Sequence, residues 1–359
     1  MTETPRPDVH RARVVEVIEE TGDARSVVLE VEDRAAFDYR SGQFLTVAVP
    51  SDRTGVVARC YSLSSAPHES DLLKFTVKRT VDGYASHWIC DNVDAGHQLT
   101  VLPPSGIFTP KDVDADLLLF AGGSGITPVI SIAKTALATG TGKVVLLYAN
   151  RDESSVIFAG ELSDLASKHP DRLVVVHWLE SVQGLPATEH VRAFAEHFTT
   201  YDAFVCGPGP FMQGAVAALK ELGFPRDRRH QEKFVSLGGN PFGDETFVVD
   251  EGDEPEEPTD GPTLRRTDPA SVSGELDGER FAFGDWPPDQ RLLDFLLEQG
   301  IDAPYSCREG NCSACAVRLV EGEVTLLHND VLDDDDLDDG IRLACQSLPV
   351  SDSVVVSYE

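Results

Sequence analysis

The sequence lacks a long apolar run and is poor in positive charge. Its longest apolar stretches, such as "LLLFAGG" and "KVVLLYA", are far shorter than the roughly 20 residues that a membrane-spanning helix needs. Only 30 of its 359 residues are lysine or arginine, against 61 acidic residues, so its formal net charge is -31. Because nucleic acids and anionic membranes bind basic faces, we expect neither as a partner. No apolar segment near the amino terminus resembles a secretory signal, and we expect a cytoplasmic protein.

The acidity itself has two interpretations that the sequence leaves open. Acidic residues are spread over every region and arginine outnumbers lysine, which is compatible with a solvated surface in a salt-adapted proteome. A dedicated docking face for a basic protein partner is the alternative. The two interpretations can both hold.

Cysteine is also scarce, but its distribution is uneven. A reducing compartment disfavours a disulfide framework built from the seven cysteines. Four of them follow the spacing C-x4-C-x2-C-x29-C, and these are Cys307, Cys312, Cys315 and Cys345. Zinc modules usually contain two close pairs, whereas one tight triplet and one distant cysteine is the spacing of plant-type 2Fe–2S ferredoxins. The sequence therefore predicts a 2Fe–2S cluster on these four thiolates, with Cys60 and Cys90 as ordinary buried cysteines.

Changes in composition along the chain predict three domains and a linker. Residues 1–109 contain short segments rich in β-branched and aromatic residues, which indicate an antiparallel β-barrel. Residues 110–242 alternate buried strands with helix-length segments, which is typical of a parallel α/β sheet. Residues 243–265 are acidic and rich in Pro and Gly, as expected of an extended linker. Residues 266–359 start again with a strand and a helix before the cysteines, so we expect an α+β domain.

A glycine-rich turn lies at the first strand-to-helix junction of the α/β region. In "LLLFAGGSGITPVISI", Gly122, Gly123 and Gly125 follow an apolar strand and precede a helix. Such a turn is the usual cradle for a nucleotide phosphate, because backbone N–H groups at a helix start attract anions. Its spacing departs from the general G-x-G-x-x-G dinucleotide fingerprint.

Two segments of the barrel region resemble the flavin-binding motifs of the ferredoxin–NADP reductase superfamily. The first is Arg59-x-Tyr61-Ser62, where the resemblance implies an arginine on a flavin phosphate, a tyrosine against the flavin ring and a serine near its N5. The second is "FTVKRTVDGYASHWI", a strand followed by a helix start. Together they imply FAD in preference to FMN, because two phosphates need both segments. The second segment's implied FAD-binding residues are Val77, Lys78, Gly83, Ala85 and Ser86.

Three further segments resemble the nicotinamide side of the same superfamily. "AGGSGITP" adds Thr127, which the resemblance places near the flavin. "VCGPGPFM" contributes Cys206 beside the reactive nicotinamide carbon, with Gly207 and Pro208 shaping the turn. Glu232-x-Phe234 matches the terminal Glu-x-aromatic element, with Phe in place of the commoner Tyr. The resemblance thus implies a hydride-transfer site with Ser62, Cys206 and Glu232 as its catalytic residues.

The choice between NADH and NADPH depends on the strand end "YANRDESSVIF". We expect the cofactor to bind at Asn150, Arg151 and Asp152. Arg151 is suited to the 2′-phosphate of NADPH, whereas Asp152 and Glu153 are suited to the 2′-hydroxyl of NADH. Two acids beside one base favour NADH, and NADPH stays possible.

The order flavin, nicotinamide, ferredoxin resembles the reductase components of bacterial multicomponent oxygenases. Within these, the chain is most similar to reductases of 3-ketosteroid 9α-hydroxylase, and next to those of phenylacetyl-CoA epoxidase systems. The resemblance implies a β-grasp ferredoxin domain and electron flow from NADH through FAD and 2Fe–2S to a separate Rieske-type oxygenase. Two other functions stay open: a redox-sensing module, and a reductase of small soluble acceptors.

Overall fold

The computed structural model describes residues 9–51, 54–81, 83–238, 241–242, 267–276 and 278–358. The predicted linker at residues 243–265 lies outside this part of the chain. The chain divides into two compact units, one of residues 9–47 and 59–234, the other including residues 48–58 and 235–359. Within the described residues, no helix combines the length and the apolar character needed to cross a membrane.

The amino-terminal region forms a six-stranded antiparallel sheet with the order β4-β3-β6-β1-β2-β5. An isolated antiparallel bridge between Leu63 and Phe75 joins the two edges of this sheet, β4 and β5, and so closes it into a barrel. One helix, α1, follows β5. The elements are β1 His10–Thr21, β2 Ala24–Val31, β3 Phe44–Ser51, β4 Gly55–Ser62, β5 Leu73–Lys78, α1 Tyr84–Asn92 and β6 Gln98–Ser105.

The middle region is a five-stranded parallel sheet with the order β11-β10-β7-β8-β9. Its first strand, β7, is buried along its whole length, as expected where helices cover both faces of a sheet. Two separate cores fill those faces. The strands are β7 Leu117–Gly122, β8 Val144–Asn150, β9 Leu173–Leu179, β10 Asp202–Cys206 and β11 Arg229–Glu232. The helices are α2 Ile126–Thr139, α3 Ala159–Lys168, α4 Glu180–Gln183, α5 Thr188–Ala195 and α6 Gly209–Glu221.

The carboxy-terminal region is a mixed five-stranded sheet packed on a short helix, α7. The sheet order is β13-β12-β18-β14-β16, with β12 and β18 parallel, and β15 pairs with β17 in a separate ribbon. Trp286 and Phe295 fill its core beside Cys315 and Cys345. The elements are β12 Ala270–Leu276, β13 Glu279–Trp286, α7 Leu292–Glu298, β14 Ala316–Glu321, β15 Val324–Leu326, α8 Asp334–Asp338, β16 Ile341–Leu343, β17 Ser347–Pro349 and β18 Ser353–Ser357.

These three sheets confirm the predicted fold class. An antiparallel barrel is followed by a parallel α/β sheet and then by an α+β domain. Sequence periodicity was sufficient here because each region has a distinct strand and helix rhythm.

Candidate functional site

The flavin motif lies on edge strand β4, beside the facing edge β5. The Tyr61 ring stacks on Phe75 with 5.4 Å between centroids and 25° between planes. Burial raises the pKa of the Tyr61 phenol above its ordinary value, so this group stays neutral. Arg59 is half-buried two residues earlier, and side chains two apart share one face of a strand. Ser62 is buried, 4% exposed, on the alternate side.

The second predicted flavin segment forms the start of helix α1. Gly83 is the residue before the helix, and a Cβ there would lie 1.9 Å from Thr80 Oγ1. The Ser86 hydroxyl donates to the Gly83 carbonyl at 3.0 Å and accepts from the Thr80 backbone N–H at 3.2 Å. These contacts hold the chain in a tight turn at the start of helix α1, and a helix start is the arrangement that binds phosphates. Ala85 is buried beside this turn.

The glycine turn lies at the point where the strand order of the parallel sheet reverses. β8 and β9 follow β7 on one side, while β10 and β11 lie on the other, so β7 and β10 border the crevice in which such sheets bind ligands. A Cβ on Gly125 would lie 2.2 Å from the carbonyl oxygen of Cys206, and one on Gly207 would lie 2.9 Å from the Gly122 nitrogen. Glycine is therefore required for the two predicted nicotinamide segments to pack on each other.

The same turn contacts the flavin-binding barrel. Gly123 has φ +51°, and the nearest heavy atom to a Cβ placed there is Lys78 Nζ at 3.8 Å. Val77 and Lys78 belong to β5, so the structure brings a predicted flavin-binding strand beside the predicted nicotinamide turn within one compact unit. Thr127 is buried on the first turn of α2, and its hydroxyl donates to the Ser124 carbonyl at 3.1 Å.

Cys206 and Glu232 end two neighbouring parallel strands and lie opposite each other in register. Burial, with the Glu232 charge, raises the pKa of the Cys206 thiol well above its ordinary value, so this thiol is neutral and is not a thiolate nucleophile. Burial also raises the pKa of the Glu232 carboxyl to about 8. At neutral pH the site therefore presents two uncharged groups. Phe234, two residues further on, is 51% exposed.

The buried Glu232 predicts a pH-dependent stability that glutamine would remove. The carboxyl ionises at about 4.5 when unfolded and at about 8 when folded. Between these values the unfolded chain binds fewer protons, so the free energy of unfolding falls as pH rises. We expect Glu232→Gln to gain stability over the unmodified protein by about 1.4 kcal/mol per pH unit in this window. Denaturant unfolding at pH 6, 7 and 8 measures this, with exposed Glu196→Gln as control. Equal pH slopes for both variants would contradict it.

The carboxyl end of β8 carries a buried side-chain amide that a bound nucleotide could satisfy. The Asn150 side chain is buried, and among the residues that the structure describes neither its amide nitrogen nor its amide oxygen meets a partner at full hydrogen-bond geometry. In β8 it follows Ala149, which pairs with Gly122, so it lies beside the glycine turn. An unpaired buried amide costs about 1–3 kcal/mol, and a bound nucleotide can supply the missing donor and acceptor. The glycine cradle and Asn150 together fit a nicotinamide dinucleotide.

Asp152, the predicted acceptor for the ribose hydroxyl, already accepts hydrogen bonds from neighbouring residues. Its carboxylate accepts from the Ser155 N–H at 3.0 Å and from the Ser154 hydroxyl at 2.7 Å. Arg151 is exposed, and its Nη2 donates to Asp23 at 2.9 Å. Glu153 is exposed beside them. Pro208 precedes helix α6, where it ends the turn begun by Gly207.

The four predicted cluster ligands form one buried group. Cys307, Cys312, Cys315 and Cys345 are all less than 10% exposed. Hydrogen bonds from the Cys312 and Cys345 side chains, then from the backbone N–H groups of Glu309 and Asn311, lower the pKa of the Cys307 thiol. Each of those two N–H groups lies 3.4 Å from Cys307 Sγ.

Backbone conformation in the cysteine loop, residues 307–315, explains its glycine. Gly310 has φ +85°, and a Cβ there would lie 2.8 Å from the His328 carbonyl oxygen. Gln346 donates to the Arg308 carbonyl at 2.9 Å and thereby joins the loop to the distant Cys345 segment. Converging buried thiols surrounded by amide donors are what a 2Fe–2S cluster requires, so the residues fit that group.

Sequence analysis missed the contacts that join the barrel to helix α2. The Ser131 hydroxyl donates to the Ser65 carbonyl at 2.6 Å. One turn further, Lys134 is only 4% exposed and bonds Glu69 at 2.8 Å and Glu161 at 2.9 Å. The sequence did contain a signal, because Lys134 is the one charged residue in the mainly apolar helix α2. Its partners could not be read from that signal, because they lie far away in the sequence.

Family models and individual relatives match the three predicted domains in order. The chain matches an oxidoreductase FAD-binding domain at residues 11–109, an oxidoreductase NAD-binding domain at 119–217 and a 2Fe-2S iron-sulfur cluster binding domain at 276–350. It is 54% identical to the ferredoxin reductase component of 3-ketosteroid-9-alpha-monooxygenase from Mycolicibacterium smegmatis, over 100% of both chains. It is 31% identical to one of the subunits of 1,2-phenylacetyl-CoA epoxidase from Escherichia coli, over 98% of each chain.

A solved structure shows the same architecture. Phthalate dioxygenase reductase aligns with a TM-score of 0.56 and 24% identity over 98% of both chains. At this sequence identity, the similarity concerns the fold alone.

Proposed function

Because this chain belongs to the family of ferredoxin reductase components of 3-ketosteroid-9-alpha-monooxygenase, we propose that it delivers electrons from NADH to a separate steroid-hydroxylating oxygenase with a Rieske-type iron centre. Its relatives are named as reductase components of oxygenase systems, and identity is higher to the steroid system, at 54%, than to the phenylacetyl-CoA system, at 31%. Because of this difference in sequence identity, we propose that the receiving oxygenase is a steroid-hydroxylating enzyme.

One observation carries the proposal: a buried four-thiol group lies on the same chain as a glycine turn that lies against strand β5 of the barrel. When bound, FAD and the cluster convert the two electrons of a nicotinamide hydride into single electrons that a one-electron acceptor can take. A redox-sensing module would not need the turn, and a reductase of small acceptors would not need the thiol group.

Side chains and backbone groups of the protein would orient the flavin and the dinucleotide and keep anionic side chains away from the reaction site. Arg59, Tyr61 and Ser62 would hold the flavin, with the start of helix α1 facing its phosphates. The glycine turn and Asn150 would hold the dinucleotide. Cys206 and Glu232 would line the reaction site as neutral groups, so no carboxylate or thiolate anion would stand beside a bound nicotinamide.

Anaerobic mixing with NADH tests this function. We expect the flavin and iron–sulfur absorption bands to bleach together, and the Rieske signal of the added oxygenase to appear in its electron paramagnetic resonance spectrum afterwards. Bleaching of the flavin alone would contradict passage through the cluster. Bleaching of both without reduction of the oxygenase would contradict the proposed partner.

Docking to the oxygenase is expected to depend on salt. The short helix α8 and its cap present a run of aspartates, of which Asp334 and Asp338 are exposed. If they steer the partner, oxygenase turnover should fall roughly tenfold from low to high ionic strength, because salt screens steering. Asp334→Asn with Asp338→Asn should reduce that dependence, whereas reduction of ferricyanide by the flavin should stay constant. Turnover that is insensitive to salt would contradict docking through this face.

A further inference from the structure

The cation best placed to recognise a 2′-phosphate is already paired with a residue from the other domain. Arg151 follows β8, and its Nη2 donates to Asp23 Oδ2 at 2.9 Å. Asp23 lies 128 positions earlier, in the turn between β1 and β2 of the barrel. The pair therefore joins the flavin-binding barrel to the nucleotide side of the parallel sheet within one compact unit.

Asp23 is held in place by its own neighbours. The Thr21 hydroxyl donates to Asp23 Oδ1 at 2.8 Å, which leaves Oδ2 for the cations. Lys78 Nζ lies 3.8 Å from that same Oδ2, and the Arg79 backbone N–H donates to the Asp23 carbonyl at 2.8 Å. One carboxylate thus faces both Arg151 and Lys78, and its side chain is 31% exposed, so water screens it only in part.

The charge balance at this strand end disfavours a further anion. Two cations, Arg151 and Lys78, lie near the carboxylates of Asp23 and Asp152, and the exposed Glu153 adds a third carboxylate next in the sequence. A 2′-phosphate adds about −1.5 to −2 charges near neutral pH. To bind it, Arg151 would either leave Asp23 or hold the phosphate beside that carboxylate, and each alternative has an electrostatic cost. The 2′-hydroxyl of NADH brings neither cost.

We propose that Asp23 determines the preference for NADH over NADPH by holding Arg151 in an ion pair. The residue lies outside the dinucleotide-binding sheet and acts on specificity from the flavin-binding barrel. The inference rests on the proposed function, because it presupposes that the dinucleotide binds at the glycine turn.

Steady-state kinetics with ferricyanide as acceptor test the assignment in the FAD-loaded full chain. We expect Asp23→Asn to raise kcat/KM for NADPH by up to about fivefold, since an exposed ion pair is worth up to about 1 kcal/mol. The value for NADH should change less than twofold. Glu19→Gln is the matched control: it removes one negative charge from the same β1–β2 hairpin, where Glu19 pairs with Arg25 at 2.8 Å. That control should leave the NADPH to NADH ratio unchanged.

A double-mutant cycle with Arg151→Gln decides whether the effect passes through the ion pair. Arg151→Gln alone should not raise kcat/KM for NADPH, whereas in the Asp23→Asn background it should abolish the gain. An unchanged ratio in Asp23→Asn, an equal gain in Glu19→Gln, or a gain that survives the loss of Arg151 would each overturn the proposal. Failure of the unmodified protein to oxidise NADH would instead refute the proposed function.

Discussion

Replacing Cys345 with serine should abolish oxygenase turnover while reduction of ferricyanide by NADH continues. Cys345 is the one predicted ligand outside the cysteine loop, and the Ala344 backbone N–H fixes its segment by donating to the Cys315 carbonyl at 3.0 Å. Serine is nearly isosteric, but a hydroxyl is a poor substitute for a soft thiolate on iron. The three remaining thiols could not complete a four-cysteine site. Electrons would still reach the flavin, because that site belongs to the other compact unit.

Iron and sulfide content, the visible spectrum and the two activities measure this outcome. Cys60→Ser is the control, because Cys60 lies on β4 outside the ligand spacing and its sulfur neighbours Thr46 Oγ1 at 3.5 Å. It should keep a full complement of iron. A Cys345→Ser protein that retained both iron and oxygenase turnover would show that the cluster uses another ligand.

Replacing Lys134 with methionine should lower the free energy of unfolding by about 1–3 kcal/mol. This is less than the roughly 3–5 kcal/mol for a fully buried ion pair, because the Glu69 and Glu161 side chains are 36% and 31% exposed and water screens them in part. Lys134 Nζ lies 2.8 Å from Glu69 and 2.9 Å from Glu161, and Lys74 binds Glu161 at 3.0 Å. Burial raises the pKa of the Glu161 carboxyl, yet Lys134 and Lys74 hold it below its ordinary value. Without Lys134, Glu69 loses this partner and Glu161 keeps only Lys74.

Denaturant unfolding of the FAD-loaded protein gives the loss directly. Exposed Lys143→Met makes the same chemical change outside the cluster and should alter stability by less than about 0.5 kcal/mol. We also expect Lys134→Met to release its flavin at a lower denaturant concentration than the control does, as followed by flavin absorption. The reason is that Ser131 and Lys134 bond helix α2 to the loop that follows the flavin motif. A loss below about 1 kcal/mol would contradict a structural role for this cluster.

Much of the site could be predicted because its residues are adjacent in the sequence. The cysteine loop, the glycine turn and the Arg59-x-Tyr61-Ser62 strand are each contiguous, so backbone conformation fixes their geometry locally. Gly310 and Gly123 adopt positive φ, as glycine in such turns does. The relative placement of distant segments was available only by resemblance. The register that sets Cys206 opposite Glu232 depends on how β10 and β11 pair.

The sequence by itself determined the three-domain order, the fold class of each domain and the four thiols, since strand rhythm and ligand spacing are local properties of the chain. The tertiary structure alone decided which charges meet. It pairs Arg151 with Asp23 across 128 positions, and it buries Lys134 between two glutamates. Those outcomes depend on how the barrel packs against the parallel sheet. No local pattern encodes that packing, because the residues around each partner of such a pair contain nothing that points to the other partner.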